Sequence, residues 1–213
     1  MTVHELPGPR VAVAYHSGFG HTATLAAAVA AGARDTGAAV VMIAVDAITD
    51  DGWQELDESD AVVFGCPTYM GNVSAGFQAF AEKTGRRCIN GTWQNKIAAG
   101  FTNSGAKSGD KLQTLMSLAV FAAQHHMLWV SLGLPPGWNS STGSDQDLNR
   151  LGFWLGAAAA TDVDAGPEHV QSADVATCRH LGARVSAVCR QLIAGRAVTA
   201  AARGPAASWE PVR

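Results

Sequence analysis

The chain of 213 residues is short of charge and of aromatics: 15% are Asp, Glu, Lys or Arg, 7% are Phe, Trp or Tyr, and only two are tyrosines. The charge present nearly balances, with fifteen basic and eighteen acidic residues. That excludes a nucleic acid or an anionic membrane surface as the main partner and leaves small molecules. Cysteine is also scarce. Cys66, Cys88, Cys178 and Cys189 form no C-x-x-C pair and no zinc spacing, so no metal site is expected and the thiols read as reduced. Cys178 and Cys189 lie eleven apart on one predicted helix and read as packing residues of one face. The sequence has no uninterrupted apolar run of ~18 residues and no basic flank before an apolar run. A cytoplasmic protein without a membrane span is therefore expected, and the N-x-[ST] triplets at Asn72, Asn90 and Asn139 carry no modification.

Apolar residues are plentiful, 47% of the chain, and they come in a regular alternation. Residues 1–9, with two prolines, read as a flexible N-terminal arm, and 10–194 as a single domain. Arg10 to Tyr15 is a buried strand, and Thr22 to Thr36 is an alanine-rich helix with Leu25, Ala28, Val29 and Gly32 on one face. Further strands are predicted at Ala38–Val45, Asp60–Cys66, Lys96–Thr102 and Met127–Leu132. Helices follow at Ser74–Arg86, Asp110–His126 and Ser172–Ile193, with a partly helical crossing at Asp46–Glu58. Residues 133–147 read as an irregular insertion, Leu148–Ala160 as the finish of the sheet edge, and 195–213 as a flexible C-terminal tail. Repeated strand, loop and helix units predict an α/β fold, a parallel sheet covered by helices on both faces.

In such a sheet every strand-to-helix loop emerges at the carboxyl edge. The first, Ser17-Gly18-Phe19-Gly20-His21-Thr22, offers two glycines, two hydroxyls and a helix N-terminus, which suits a phosphate. The second, Pro67-Thr68-Tyr69-Met70-Gly71-Asn72, offers an aromatic, a thioether and an amide, which suits a flat ring with polar edges. The third, running from Thr102 and Asn103 through Ser104, Gly105 and Lys107 to Gly109, offers donors to that ring's polar edge. Phosphate and flat heterocycle together describe flavin mononucleotide (FMN).

These motifs resemble a known family. Ser17-x-x-Gly20-x-Thr22 is similar to the phosphate loop of flavodoxin-like proteins. Tyr15-x-Ser17-x-x-Gly20-His21 followed by Pro67-Thr68-x-x-Gly71-Asn72 resembles WrbA-type NAD(P)H:quinone oxidoreductases and NADPH-dependent FMN reductase-like proteins. The resemblance implies a flavodoxin-like sandwich with a five-stranded parallel sheet of order 2-1-3-4-5. It also implies bound FMN, a homo-oligomer (dimer or tetramer), and electron transfer from NADH or NADPH to a quinone-like acceptor by ping-pong hydride exchange at flavin N5. His125-His126-Met127 resembles the family's His-His-Gly-Met, in which a histidine faces the flavin of a neighbouring subunit, so His125 and His126 are the candidate catalytic residues, one or the other in that role. Two other readings stand beside this one. A non-enzymatic flavodoxin-type electron carrier would share the fold, and Gly18-x-Gly20-x-x-Ala23 with Asp46 satisfies a Rossmann dinucleotide fingerprint.

Overall fold

The structure, a computed structural model, describes residues 8–203. The expected N-terminal arm therefore lies almost wholly outside the described residues, as do residues 204–213 of the expected tail.

Four central strands, β1 (Arg10–Tyr15), β2 (Ala39–Ala44), β3 (Ala61–Tyr69) and β5 (Ile97–Ser104), pair in parallel in the order β2-β1-β3-β5. Val11 registers with Val40 on one side and Ala61 on the other, and Ala61 with Ile97. The fifth position of the sheet is shared. β6 (Leu128–Trp129) pairs with the start of β5, and β7 (Ala157–Ala160) pairs with its end, both in parallel. The flavodoxin-like fold with order 2-1-3-4-5 is thus present, but its last strand is interrupted by residues 130–156. The predicted strand Met127–Leu132 shrinks to two paired residues because the chain leaves the sheet after Trp129. A two-stranded hairpin, β4 (Asn72–Val73) against the end of β3, completes the count of seven strands.

Helices cover both faces. On one lie α1 (His21–Asp35) and α6 (Ser172–Arg203), packed so closely that a Cβ at Gly32 would stand 1.8 Å from the Arg179 carbonyl oxygen, and one at Gly182 1.9 Å from that of Val29. Cys178 and Cys189 are buried in this layer as expected, and burial raises both thiol pKa values, that of Cys189 to about 12. α6 runs to Arg203, past Gly195 where the sequence pattern fades. On the other face lie α2 (Asp50–Glu58), α3 (Ala75–Lys83), α4 (Gly85–Ile89) and α5 (Lys111–Gln124), over an aromatic core of Phe64, Phe77, Phe80, Trp93 and Phe121. The predicted helix Ser74–Arg86 is two helices, capped at its start by Ser74 Oγ accepting from Phe77 N–H, and breaking at Thr84.

Candidate functional site

β1 delivers the first loop to the carboxyl edge. Ser17 Oγ accepts from the N–H groups of Gly20 (3.1 Å) and Ala23 (3.2 Å), which folds the loop back on itself and leaves the hydroxyl proton free. Gly20 sits at φ +90°, open to glycine without strain, and a Cβ there would press on Pro167 at 3.1 Å. Among the described residues no intrachain acceptor is found for the N–H groups of Gly18, Phe19, His21 and Thr22. With the α1 dipole behind them, these donors form an anion site.

The second segment differs from expectation. Pro67, Thr68 and Tyr69 are not loop but the end of β3, and Asn72 begins β4. Between them Met70 (φ +49°) and Gly71 (φ +79°) make the tight turn of a hairpin whose central residues both take positive φ. Tyr69 leans over the first loop, its hydroxyl 2.6 Å from where a Gly18 Cβ would stand, and partial burial raises its pKa. Met70 is fully exposed, and Asn72 Oδ1 accepts from Val73 N–H and Ser117 Oγ–H outside the cavity. Beneath the cavity lies a buried hydroxyl cluster, Thr68 with Thr102 and Thr114 at 2.8 Å each, and Thr102 donates on to the Cys66 carbonyl. Thr102 thus supports the site from below rather than lining it. His16 is bonded through Nδ1 to Ser74 Oγ at 2.8 Å, which ties the end of β1 to the start of α3.

In the third loop Asn103, Ser104 and Gly105 face the same space as the first loop, Pro67, Thr68 and Tyr69, around a cavity of about 180 Å³. Gly109 (φ +54°) closes the loop, since a Cβ there would stand 2.1 Å from Ser104 Oγ. Lys107 points away from the cavity, with Nζ over the Trp138 ring at 5.8 Å, so it pins the insertion instead of facing a ligand. Sequence reasoning missed a fourth wall, the segment after β7. Thr161 and Val163 line the cavity; Thr161 Oγ1 donates to Asn103 Oδ1 at 3.1 Å, and His21 Nε2 donates to the Ala165 carbonyl at 2.7 Å. The signal was available in principle, because a parallel β7 must also send its loop to the carboxyl edge.

His125 and His126 lie elsewhere, after α5 and just before β6, at the amino edge of the sheet. His125 is buried between Trp93 (4.5 Å) and Phe121 (4.8 Å). Thr84 Oγ1 donates to the Ala81 carbonyl and accepts from His125 Nε2 at 2.8 Å, an arrangement that assigns the ring proton to Nε2 and leaves the buried Nδ1 without a partner among the described residues. Burial pushes its pKa down to about 4, helped by nearby His126 and Arg87. His126 is exposed at φ +59°. Neither histidine reaches the cavity of its own chain. A larger groove, about 730 Å³, runs beside them between α3, α4 and α5, with Met116, Val120 and Phe121 among its walls. Among the described residues there is no cluster able to hold a metal ion and no helix long and apolar enough to cross a membrane.

The donor set fits FMN: four free N–H groups and hydroxyls where a phosphate would sit, then aromatic and amide groups where a polar ring would lie. Comparison with known proteins agrees. The sequence profile of the flavodoxin family matches residues 13–123. A flavodoxin of Pseudomonas aeruginosa, FldP, is 40% identical over 186 residues, which cover 86% of this chain and 98% of that protein. An NAD(P)H dehydrogenase (quinone) of Archaeoglobus fulgidus is 31% identical, over 86% of this chain and 98% of its own. Among solved structures, a flavodoxin described as a WrbA-like protein from Agrobacterium tumefaciens superposes with a TM-score of 0.68 at 38% identity, over 86% of this chain and 98% of that one. The order of the sheet, the donor-rich loop at its carboxyl edge and these matches agree, and the chain belongs to the flavodoxin family.

Proposed function

We propose that this protein is an FMN-dependent oxidoreductase that passes two electrons from NADH or NADPH to a quinone-like acceptor, the two substrates using the cavity mouth in turn. The observation that carries this reading is the mouth itself. Phe19 is 76% exposed, Tyr69 40% and Val163 88%, an apolar rim that suits flat, weakly polar substrates. Relatives named NAD(P)H dehydrogenase (quinone), such as that of Archaeoglobus fulgidus, support it.

FMN, when bound, supplies the two-electron chemistry that side chains lack. The chain does the rest. The N–H groups of Gly18, Phe19, His21 and Thr22 hold the phosphate, and the Ser17 and Thr22 hydroxyls donate beside them. Tyr69 and Phe19 present ring faces for stacking, while Asn103 and Ser104 present polar groups to the ring's edge. Thr161 and Val163 close the fourth side and exclude water.

A homo-oligomer belongs to the proposal. Leu112, Met116 and Val120 form an exposed apolar stripe on α5, flanking the groove near His126. Covering it with a second copy is the arrangement by which His126 would reach an acceptor in a neighbouring cavity. Light scattering of the purified protein then gives a dimer or tetramer.

The 40% identity to a protein named flavodoxin favours a second reading, an electron carrier without its own substrates. Steady-state oxidation of NADH and NADPH with a benzoquinone separates the two. Sustained turnover supports the enzyme; a protein that binds FMN but turns over neither nicotinamide is the carrier.

A further inference from the structure

Lys111, the first residue of α5, has no exposed surface. Its ammonium is wrapped by the third loop, donating to the carbonyl oxygens of Ala106, of Lys107 (3.0 Å) and of Ser108 (3.5 Å). Three donors thus meet three carbonyls, and among the described residues no carboxylate lies within ion-pair distance. The other buried charges nearby cancel: Arg150 and Asp174 form a two-pronged pair at 2.8 Å, with Asp174 also accepting from Ala160 N–H. Asp110, next in sequence, is exposed to solvent, which screens it. One net positive charge is therefore built into the wall of the site. It lies a short step from the cavity, because the Ala106 carbonyl that it holds also accepts from Ser104 Oγ at 3.1 Å, and Ser104 lines the cavity. Among the described residues no acidic one lines the cavity to answer that charge.

We propose that Lys111 is a positioning residue for the flavin reaction: it fixes the third loop, and its charge favours the reduced, anionic form of the bound cofactor over the neutral-ring oxidised form. This rests on the FMN reading above. Two electrons and one proton from the reduced nicotinamide leave NAD(P)⁺ and turn the uncharged ring into one bearing a negative charge, which the buried ammonium would answer from behind Ala106 and Ser104. In water such a charge would be screened; with no exposed surface it acts at low dielectric. Burial lowers the Lys111 pKa to about 8, Asp174 opposing that fall and Arg150 adding to it, so the side chain stays protonated at neutral pH.

The test measures affinity for oxidised and for reduced FMN in full-length wild type and in Lys111→Met, Lys111→Gln and Lys111→Arg. Gln keeps donors for the loop carbonyls without the charge, and Arg keeps the charge. Both neutral variants are expected to lose about tenfold more affinity for reduced than for oxidised FMN, which makes the two-electron potential ~30 mV more negative; Lys111→Arg keeps the wild-type ratio within about twofold. Equal weakening of both redox states, or the same ratio in all four proteins, overturns the proposal and leaves the lysine a loop brace only. The unmutated holoprotein gives a check without substitution, since its reduced cofactor must remain ionised at a pH where free reduced FMN has taken up its proton; coincident titrations overturn the proposal. A wild-type protein that binds no FMN in either state is a different failure, that of the FMN reading itself.

Discussion

The two edges of the sheet each hold a lysine that donates to three carbonyls, and the resemblance ends there. At the amino edge Lys96 Nζ closes the end of α2 by bonding Leu56 O (3.1 Å), Asp57 O (2.6 Å) and Ser59 O (2.6 Å), with Asp57, Asp60 and Glu58 close enough to balance its charge. Around it the other donors are also spent: Arg87 grips Asp57 in a two-pronged pair, and the Trp93 indole N–H bonds the same carboxylate at 2.8 Å. At the carboxyl edge the carboxylate nearest in effect to Lys111, Asp174, is already paired with Arg150, and among the described residues four N–H groups of the first loop have no intrachain acceptor. One edge satisfies its polar groups internally, His125 Nδ1 excepted, and so contributes stability. The other leaves donors for something that the chain does not itself supply, which is the physical signature of a binding site.

That contrast is open to direct attack, beginning where the effect is largest. Asp57→Ala leaves the half-buried Arg87 guanidinium and the fully buried Trp93 N–H without their acceptor. Urea unfolding should show a loss of about 4 kcal/mol, with FMN affinity unchanged; a stable variant that loses FMN would erase the distinction between the edges. The next effect is acid lability. Because His125 has its pKa depressed to about 4 in the folded protein, the unfolded chain binds more protons between roughly pH 6.5 and 4. Stability contributed by neutral His125 is full above the upper value and falls as pH drops through that window, by roughly 3 kcal/mol in all. Unfolding curves at pH 7 and 4.5 should lie closer together in His125→Asn than in wild type.

At the carboxyl edge the signs reverse. Thr22→Val keeps the shape of a buried side chain and removes a hydroxyl proposed to donate to the phosphate, so FMN affinity should fall about tenfold, ~1.4 kcal/mol. The unfolding midpoint of the cofactor-free protein should stay put; if it falls in step with affinity, the hydroxyl is structural. The smallest change belongs to Met70→Ala. A fully exposed side chain at a hairpin tip should alter stability by less than ~0.5 kcal/mol, and FMN affinity should hold while the KM for a benzoquinone rises. A Met70 variant with weakened FMN binding would show that the ring extends beyond Tyr69.

Much of this was legible in the sequence, for local reasons. Val11 to Tyr15 and Ala61 to Cys66 are continuous apolar runs because a central parallel strand is covered on both faces. The tight turn of the first loop could be read because Gly20 and the helix after it declare themselves within six residues. What could not be read depended on distant parts of the chain. Leu148–Ala160 could be read as the finish of the sheet edge, but not which of its residues pair there, because β7 is four alanines without periodicity and takes its bounds from the open edge of β5; without those bounds Thr161 and Val163 were missed. The Met70-Gly71 turn hid inside a motif that looks like loop, since nothing local requires β3 to run through Pro67 to Tyr69. Lys107 and Lys111 are equally plausible in sequence, and only folding decides that the first meets Trp138 outside and the second is enclosed. His125 could be matched to a motif but not placed at an edge, because its position follows from where α5 ends relative to the sheet.

The carboxyl-edge loop is proposed to hold the phosphate of one FMN per chain. Titrating the purified full-length protein with FMN and with riboflavin, which lacks only the phosphate, tests that most directly. One FMN per chain, bound roughly 100-fold more tightly than riboflavin, about 2.7 kcal/mol, is the result predicted from the free N–H groups of Gly18 to Thr22. Equal affinity for the two flavins, or binding of neither, would contradict it.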